Sequence, residues 1–141
     1  MVLTDSAIDI IHIDFGFMLS NSPGSLGFEL APFKLTQEYV DVIGGQNSER
    51  FQQFRQLCKQ SFQALRKRSD VLVDLVEMMG RESRMPCFSS GMGYATTCLK
   101  QRFQLQLSEQ EAEVFVDDHL INKSLGSYYT RGTCSLPILS Y

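Results

Sequence analysis

Apolar and polar positions change their spacing twice along the chain. Residues 2–4 and 8–13 are rich in β-branched and other apolar side chains, and they predict two short strands joined by a turn near residues 4–7. Residues 14–35 have no sustained period and contain Pro23 and Pro32. They predict a loop of about twenty residues, a length that in compact domains is usually functional or disordered.

From residue 36 onward the spacing becomes helical. Thr36 can cap a first helix, which Gly44 and Gly45 end. Asn47 or Ser48 caps a second helix, whose predicted apolar stripe is Phe51, Phe54, Cys58, Phe62 and Leu65. Most basic residues of this stretch lie off the stripe and predict a solvated face, with contact to anionic lipid as the less favoured alternative: Arg50, Arg55, Lys59, Arg66 and Lys67.

Three further helices are predicted. Residues 70–79 are almost all apolar and indicate a well-buried helix that ends at Gly80. Residues 85–88 are expected to be extended, residues 89–93 to form a flexible loop, and residues 94–104 to form a helix. Ser108 and Glu111 have the spacing of a capping box for a last helix to about residue 122. Its predicted apolar face is Ala112, Phe115, Val116, His119 and Leu120.

The expected fold class is therefore mainly α, with a short β-hairpin, a long loop and about five helices in one domain. The 141 residues suffice for one modest core, and the net charge of −3 gives no electrostatic case for nucleic acid. No apolar run approaches the roughly 20 residues of a membrane helix. The four cysteines lack CxxC spacing, which disfavours zinc and favours reduced thiols in the cytosol.

The sequence Asp14-Phe15-Gly16, directly after the second strand, is the candidate chemical motif. A carboxylate just past a rigid strand can hold Mg²⁺ against the phosphates of ATP. Gly16 lets the backbone turn sharply, and Phe15 can pack inward and direct the aspartate. The tripeptide alone, however, is more often an ordinary turn at a strand end.

The surrounding residues carry a resemblance to a known family. The run IIHIDFGFMLSNSPGSLGFELAPFKLTQEYVDVIGG, residues 10–45, resembles the activation segment and the following helix of the phosphatidylinositol 3- and 4-kinase family. In that family the segment Pro-Phe-Lys-Leu-Thr, here Pro32 to Thr36, closes the loop. Residues 26–36, 62–67 and 85–88 are most similar to the beta-type (type III) 4-kinases. The resemblance covers residues 1–131 and leaves 132–141 as a divergent, irregular tail.

The resemblance implies the C-lobe part of a kinase-like α+β fold, beginning just after the catalytic loop. It implies that Asp14 binds Mg²⁺ (or Mn²⁺), that Ile13 lines the adenine pocket of ATP, and that Phe15 and Gly16 shape the activation loop. That loop, with Lys34, would present phosphatidylinositol for transfer of the ATP γ-phosphate to its 4-hydroxyl, in phosphoinositide signalling. The implied setting is a cytoplasmic protein, peripheral on Golgi or other endomembranes, with adaptor proteins or small GTPases as partners.

The charge of the loop bears on the substrate. The ionisable residues from Asp14 to Thr36 are Asp14, Glu29 and Lys34. A polyphosphorylated headgroup would call for several basic side chains. A lone lysine favours phosphatidylinositol itself, and hence a 4-kinase or a 3-kinase restricted to that lipid, unless Lys34 is merely a solvated loop residue.

The sequence lacks other parts of a kinase. No Asp-Arg-His-Asn-x-Asn catalytic loop is found, so no catalytic base is assigned and the chain alone is expected not to turn over ATP. One alternative is a non-catalytic helical interaction module; a protein kinase is disfavoured because no Ala-Pro-Glu follows the loop. His12 is interpreted as a strand histidine, His119 as a core or edge residue, and the neighbours Asp117 and Asp118 as solvated.

Overall fold

The computed structural model describes residues 2–3, 10–11, 18–19, 21 and 31–126, with the backbone alone at 2–3 and 10–11. The helices there are α1 (Gln37–Val42), α2 (Glu49–Lys67), α3 (Ser69–Gly80), α4 (Met92–Arg102), α5 (Glu109–Phe115) and α6 (Asn122–Gly126). The chain forms two compact units. Unit 1 comprises Met1–Phe28 and Ser69–Phe103, and unit 2 comprises Glu29–Arg68 and Gln104–Tyr141. The described part is mainly helical, as the sequence predicts.

The two strands are β1 (Val2–Leu3) and β2 (Ile10–Ile11), in unit 1. They pair antiparallel, with Val2 opposite Ile11 and Leu3 opposite Ile10. Both lie inside the predicted strands. The rest of those strands, the turn between them, most of the long loop and the tail 132–141 lie outside the described residues.

Helices α1 and α2 of unit 2 begin at the predicted caps. Thr36 Oγ1 accepts a hydrogen bond from the Tyr39 amide, and Ser48 Oγ accepts one from the Phe51 amide. Gly44 and Gly45, with φ of 95° and 86°, take the left-handed conformation that turns the chain between the two helices.

The core of unit 2 joins the first and last thirds of the described chain. Helix α5 begins at the predicted capping box, in which Ser108 Oγ accepts from the Glu111 amide and the Glu111 carboxylate accepts from the Ser108 amide. A π-helical segment, Val116–Ile121, then leads into α6. The buried side chains of this core are Leu35, Val40, Phe51, Phe62, Ala112, Val116 and Ile121.

Two details of the helical pattern in unit 2 differ from the prediction. Leu65 was expected in the α2 stripe, but it is 47% exposed, because the residue one turn after Phe62 on the buried face is Arg66. The last helix does not keep one α-helical period to residue 122. The π-helical segment makes Ile121, rather than His119, the buried residue after Val116.

In unit 1, α3 packs against α4, and the prediction that α3 is well buried is wrong. Its buried side chain is Val73, whereas four other apolar residues are 46–67% exposed: Val71, Leu75, Met78 and Met79. The apolar side chains of α3 therefore extend around more of the helix than the described neighbouring residues bury.

The connection to α4 also departs from the prediction. Met85 is extended, as expected before a proline, but Pro86–Phe88 form a 3-10 turn, because the fixed φ of proline also suits the first position of a helix. Helix α4 starts at Met92, inside the predicted flexible loop, after Gly91 at a φ of 92°.

Candidate functional site

Of the predicted site residues, the structure describes Lys34. Ile13, Asp14, Phe15 and Gly16 lie outside the described residues. Lys34 is exposed, beside Leu35, which is buried in the core of unit 2. The end of the predicted loop is therefore attached to the core at Leu35, with its basic side chain at the surface.

A second contact attaches the same segment. The Phe33 amide donates a hydrogen bond to Ser124 Oγ on α6 at 3.4 Å. Ser124 has no exposed surface, so its hydroxyl lies within the packed interior of unit 2. The residues on both sides of Lys34 thus contact the body of the unit.

One carboxylate links α2 to the π-helical segment. Asp117 Oδ1 lies 2.9 Å from Arg55 Nε, and Asp117 Oδ2 lies 2.6 Å from Lys59 Nζ. The three side chains are only 20–26% exposed. The prediction that Asp117 is solvated, with Arg55 and Lys59 on a wet face, is therefore wrong, because the pairing takes all three partly out of water.

This charge cluster shifts the pKa of two groups. Partial burial acts to raise the pKa of Asp117, but the hydrogen bonds and charges of Lys59 and Arg55 outweigh it and lower the pKa. Burial, and then the negative charge of Asp117, raise the pKa of the Cys58 thiol. Asp117 therefore stays ionised, and Cys58 stays protonated, at neutral pH.

Arg66 is also bound rather than solvated. Its guanidinium donates to the carbonyl oxygens of Leu107 and, at 3.3 Å, of Gln104, and to Gln63 Oε1 at 2.9 Å. Gln104 has a φ of 49°, an uncommon value for a residue with a side chain. Arg66 therefore holds the bend that precedes α5.

The remaining candidates give no sign of a ligand site. His119 is exposed and stacks on Phe115, with the ring centroids 5.1 Å apart. Asp118 is exposed and accepts a hydrogen bond from Asn122. Among the described residues, no cluster of three His, Cys, Asp or Glu side chains could hold a metal ion, and no described helix could span a membrane.

The sequence pattern did not indicate Asp117, Arg66 and Ser124 as contact residues. Asp117 and its two cations are about 60 positions apart in the chain, and helical spacing on its own does not say which carboxylate two cations face. Ser124 follows the π-helical segment. The spacing of the apolar residues Ala112, Val116 and Ile121, four positions and then five, could have indicated the extra residue in that segment.

The chain is similar to known proteins over most of its length. A family profile described as phosphatidylinositol 3- and 4-kinase matches residues 1–90. Phosphatidylinositol 4-kinase PIK1alpha of Candida albicans is 54% identical over 130 residues, which are 92% of this chain and 13% of that protein. Phosphatidylinositol 4-kinase PIK1 of Saccharomyces cerevisiae is 53% identical over 130 residues, covering 92% of this chain and 12% of that protein.

An animal relative is similar over the same share of the chain. Phosphatidylinositol 4-kinase beta of Xenopus tropicalis is 42% identical over 130 residues, 92% of this chain and 16% of that protein. The chain thus spans only about an eighth to a sixth of the length of these relatives. These matches confirm the resemblance seen around Pro32 to Thr36, and the chain belongs to the phosphatidylinositol 3- and 4-kinase family.

Proposed function

We propose that the chain is the C-lobe part of a phosphatidylinositol 4-kinase, which transfers the ATP γ-phosphate to the 4-hydroxyl of phosphatidylinositol. The observation that carries this proposal is 54% identity, over 92% of the chain, to a protein named phosphatidylinositol 4-kinase. An animal protein also named a phosphatidylinositol 4-kinase, at 42% identity, supports the same assignment.

Asp14 is the proposed metal ligand. Its carboxylate follows strand β2 by three residues and would bind Mg²⁺ (or Mn²⁺), which neutralises charge on the transferred phosphoryl group. Ile13 would contact the adenine of ATP, and Phe15 and Gly16 would set the direction of the loop. The family match over residues 1–90 includes all four.

Lys34 is the proposed lipid-facing cation. It is exposed, while Leu35 beside it is buried, so the backbone next to Lys34 is held in the core and its side chain lies at the surface. One lysine suits the single phosphodiester of phosphatidylinositol better than a polyphosphorylated headgroup. In the protein as a whole, a peripheral place on Golgi or other endomembranes, with adaptor or GTPase partners, belongs to the same proposal.

A chimeric kinase tests the assignment. The matching segment of the Saccharomyces cerevisiae relative is replaced by the 130 similar residues of this chain, and phosphorylation of phosphatidylinositol vesicles by the purified chimera is measured. We expect activity within about tenfold of the parent enzyme. Asp14→Asn should abolish it, since the metal then loses a charged ligand, whereas Asp74→Asn on the exposed side of α3 should not.

The outcomes separate the possible errors. A folded chimera without activity would contradict the proposal and favour a non-catalytic interaction module. An active Asp14→Asn chimera would leave the family assignment in place and remove Asp14 from the metal site. The chain alone, Met1–Tyr141, should show no ATP-dependent lipid phosphorylation, because it lacks a catalytic-loop motif.

A further inference from the structure

The last helical run of unit 2 has a core spacing that changes at one point. Ala112 and Val116 are buried and lie four positions apart, one ordinary helical turn. The next fully buried side chain is Ile121, five positions later, in the π-helical segment. A π turn closes with one residue more than an α turn, so the segment accommodates this spacing.

The extra residue determines what α6 presents to the interior. Each residue of an α-helix turns the chain by about 100°. If the chain continued from Val116 as an unbroken α-helix, the residues after the segment would be rotated about the helix axis by roughly 100° from their present positions. With the π-helical segment in place, Ile121 and Ser124 are both fully buried.

Ser124 contacts the end of the predicted loop of residues 14–35, here called the substrate loop because it would present the lipid. Its hydroxyl accepts a hydrogen bond from the Phe33 amide, and Leu35, two residues on, packs in the same core cluster as Ile121. The residues on both sides of Lys34 thus contact the buried helix face that carries Ile121 and Ser124, and the π turn determines which residues lie on that face. The two ion pairs of Asp117, with Arg55 and with Lys59, hold the first turn of the π-helical segment against α2.

We propose that Ser124, set in register by the π-helical segment Val116–Ile121, is a positioning residue that holds the closing end of the substrate loop and so fixes the base of Lys34. The proposal rests on the proposed function for its consequence in catalysis. Its structural part, the register-dependent contact between Ser124 and Phe33, is independent of any activity.

Amide hydrogen exchange in the full chain, followed residue by residue by NMR, tests the structural part. Ser124→Ala should speed exchange at Phe33 about fivefold, the effect of losing one hydrogen bond of ordinary net strength, with little change elsewhere in unit 2. Phe62→Leu is the control for general loosening, and it should speed exchange throughout the unit. Unchanged exchange at Phe33 in Ser124→Ala, or the uniform pattern of the control, would overturn the proposal.

Two matched deletions test the register. His119 and Lys123 are both exposed, so each deletion removes one surface side chain, although deleting His119 also removes its ring contact with Phe115. Deleting His119 turns the π turn into an α turn and keeps Ile121 and Ser124 facing inward, and we expect slow exchange at Phe33 to persist. Deleting Lys123 rotates Ser124 by about 100° and should release Phe33. Equal exchange at Phe33 in the two deletions would contradict the role of the π turn.

The chimeric kinase tests the catalytic consequence. Ser124→Ala should raise KM for phosphatidylinositol about fivefold, with KM for ATP unchanged and kcat within about twofold, because the loop end rather than the phosphoryl-transfer machinery is loosened. An inactive parent chimera would refute the proposed function and leave the exchange result standing. An active chimera whose lipid KM is unchanged by Ser124→Ala would refute the positioning role alone.

Discussion

Replacing Asp117 by Asn removes one negative charge and almost no volume from the junction of α2 and the π-helical segment. Arg55 and Lys59 would then lie side by side, partly buried, without a counter-ion among the described residues. The neighbouring Asp118→Asn is the matched control, since Asp118 is exposed and its partner Asn122 can still hydrogen-bond to an amide.

The size of the effect follows from the burial of the pair. Exposed ion pairs contribute about 0.2–1 kcal/mol, and removing one partner of a fully buried pair costs about 3–5 kcal/mol. The three side chains here keep 20–26% of their surface, and the carboxylate contacts both cations within 2.9 Å. We therefore expect Asp117→Asn to lower the free energy of unfolding by about 2 kcal/mol, and Asp118→Asn by under about 0.5 kcal/mol.

Urea unfolding followed by far-UV circular dichroism measures this difference, because the chain has no tryptophan to report by fluorescence. With a slope of about 1–3 kcal/mol per molar urea, the midpoint should fall by roughly 1 M for Asp117→Asn. A fall no larger than that of Asp118→Asn would refute the view that the pair stabilises unit 2.

The pH dependence gives a second measurement. The pKa of Asp117 is lowered in the folded chain, so its stabilising contribution is complete above the unfolded pKa of about 3.9 and is lost as the pH falls through the folded value. The difference between wild type and Asp117→Asn should be constant above about pH 5 and shrink below about pH 4. A difference that grows on acidification would contradict the assignment.

Three further predictions test other parts of the fold. Arg66→Lys should cost about 1–3 kcal/mol in urea unfolding, since one ammonium cannot replace the guanidinium at several carbonyls, whereas exposed Lys67→Gln should cost almost nothing. Gly80→Ala should destabilise by about 1 kcal/mol in the same assay, because a Cβ there would lie 2.8 Å from a ring carbon of Phe88, which cannot move away as easily as the end of Met92. Gly93→Ala, with open space, should stabilise by about 0.5–1 kcal/mol. Cys58 should react with iodoacetamide more slowly at pH 8 than a free cysteine, measured by peptide mass mapping, because burial raises its pKa; faster labelling would contradict this.

Local signals in the sequence predicted the starts of α1, α2 and α5 well. Thr36, Ser48 and Ser108 each cap the helix assigned to them, because a cap depends on a few neighbouring residues. The stripe on α2 was also right at Phe51 and Phe62, where helical spacing alone determines the buried face.

Features that depend on what a helix faces were not predictable in this way. The apolar composition of α3 indicated burial, but composition does not say how many sides have neighbours, and Leu75 is 48% exposed. Asp117 was misjudged for the same reason, since its partners come from a distant helix. At the candidate site, the chemistry of Asp14 was inferred from the family resemblance, and Lys34 is the site residue that the structure locates.

The core of unit 2 also has a consequence for synthesis of the chain. Its two halves are separated by the whole of α3 and α4, so the phenylalanines of α2 have no complete partner surface when they leave the ribosome. Phe62 precedes Ala112 by 50 positions, which at ordinary translation rates of 5–20 residues per second takes roughly 3–10 s. During that interval the nascent chain presents an aromatic stripe to solvent, and α2 is the segment on which a chaperone would act.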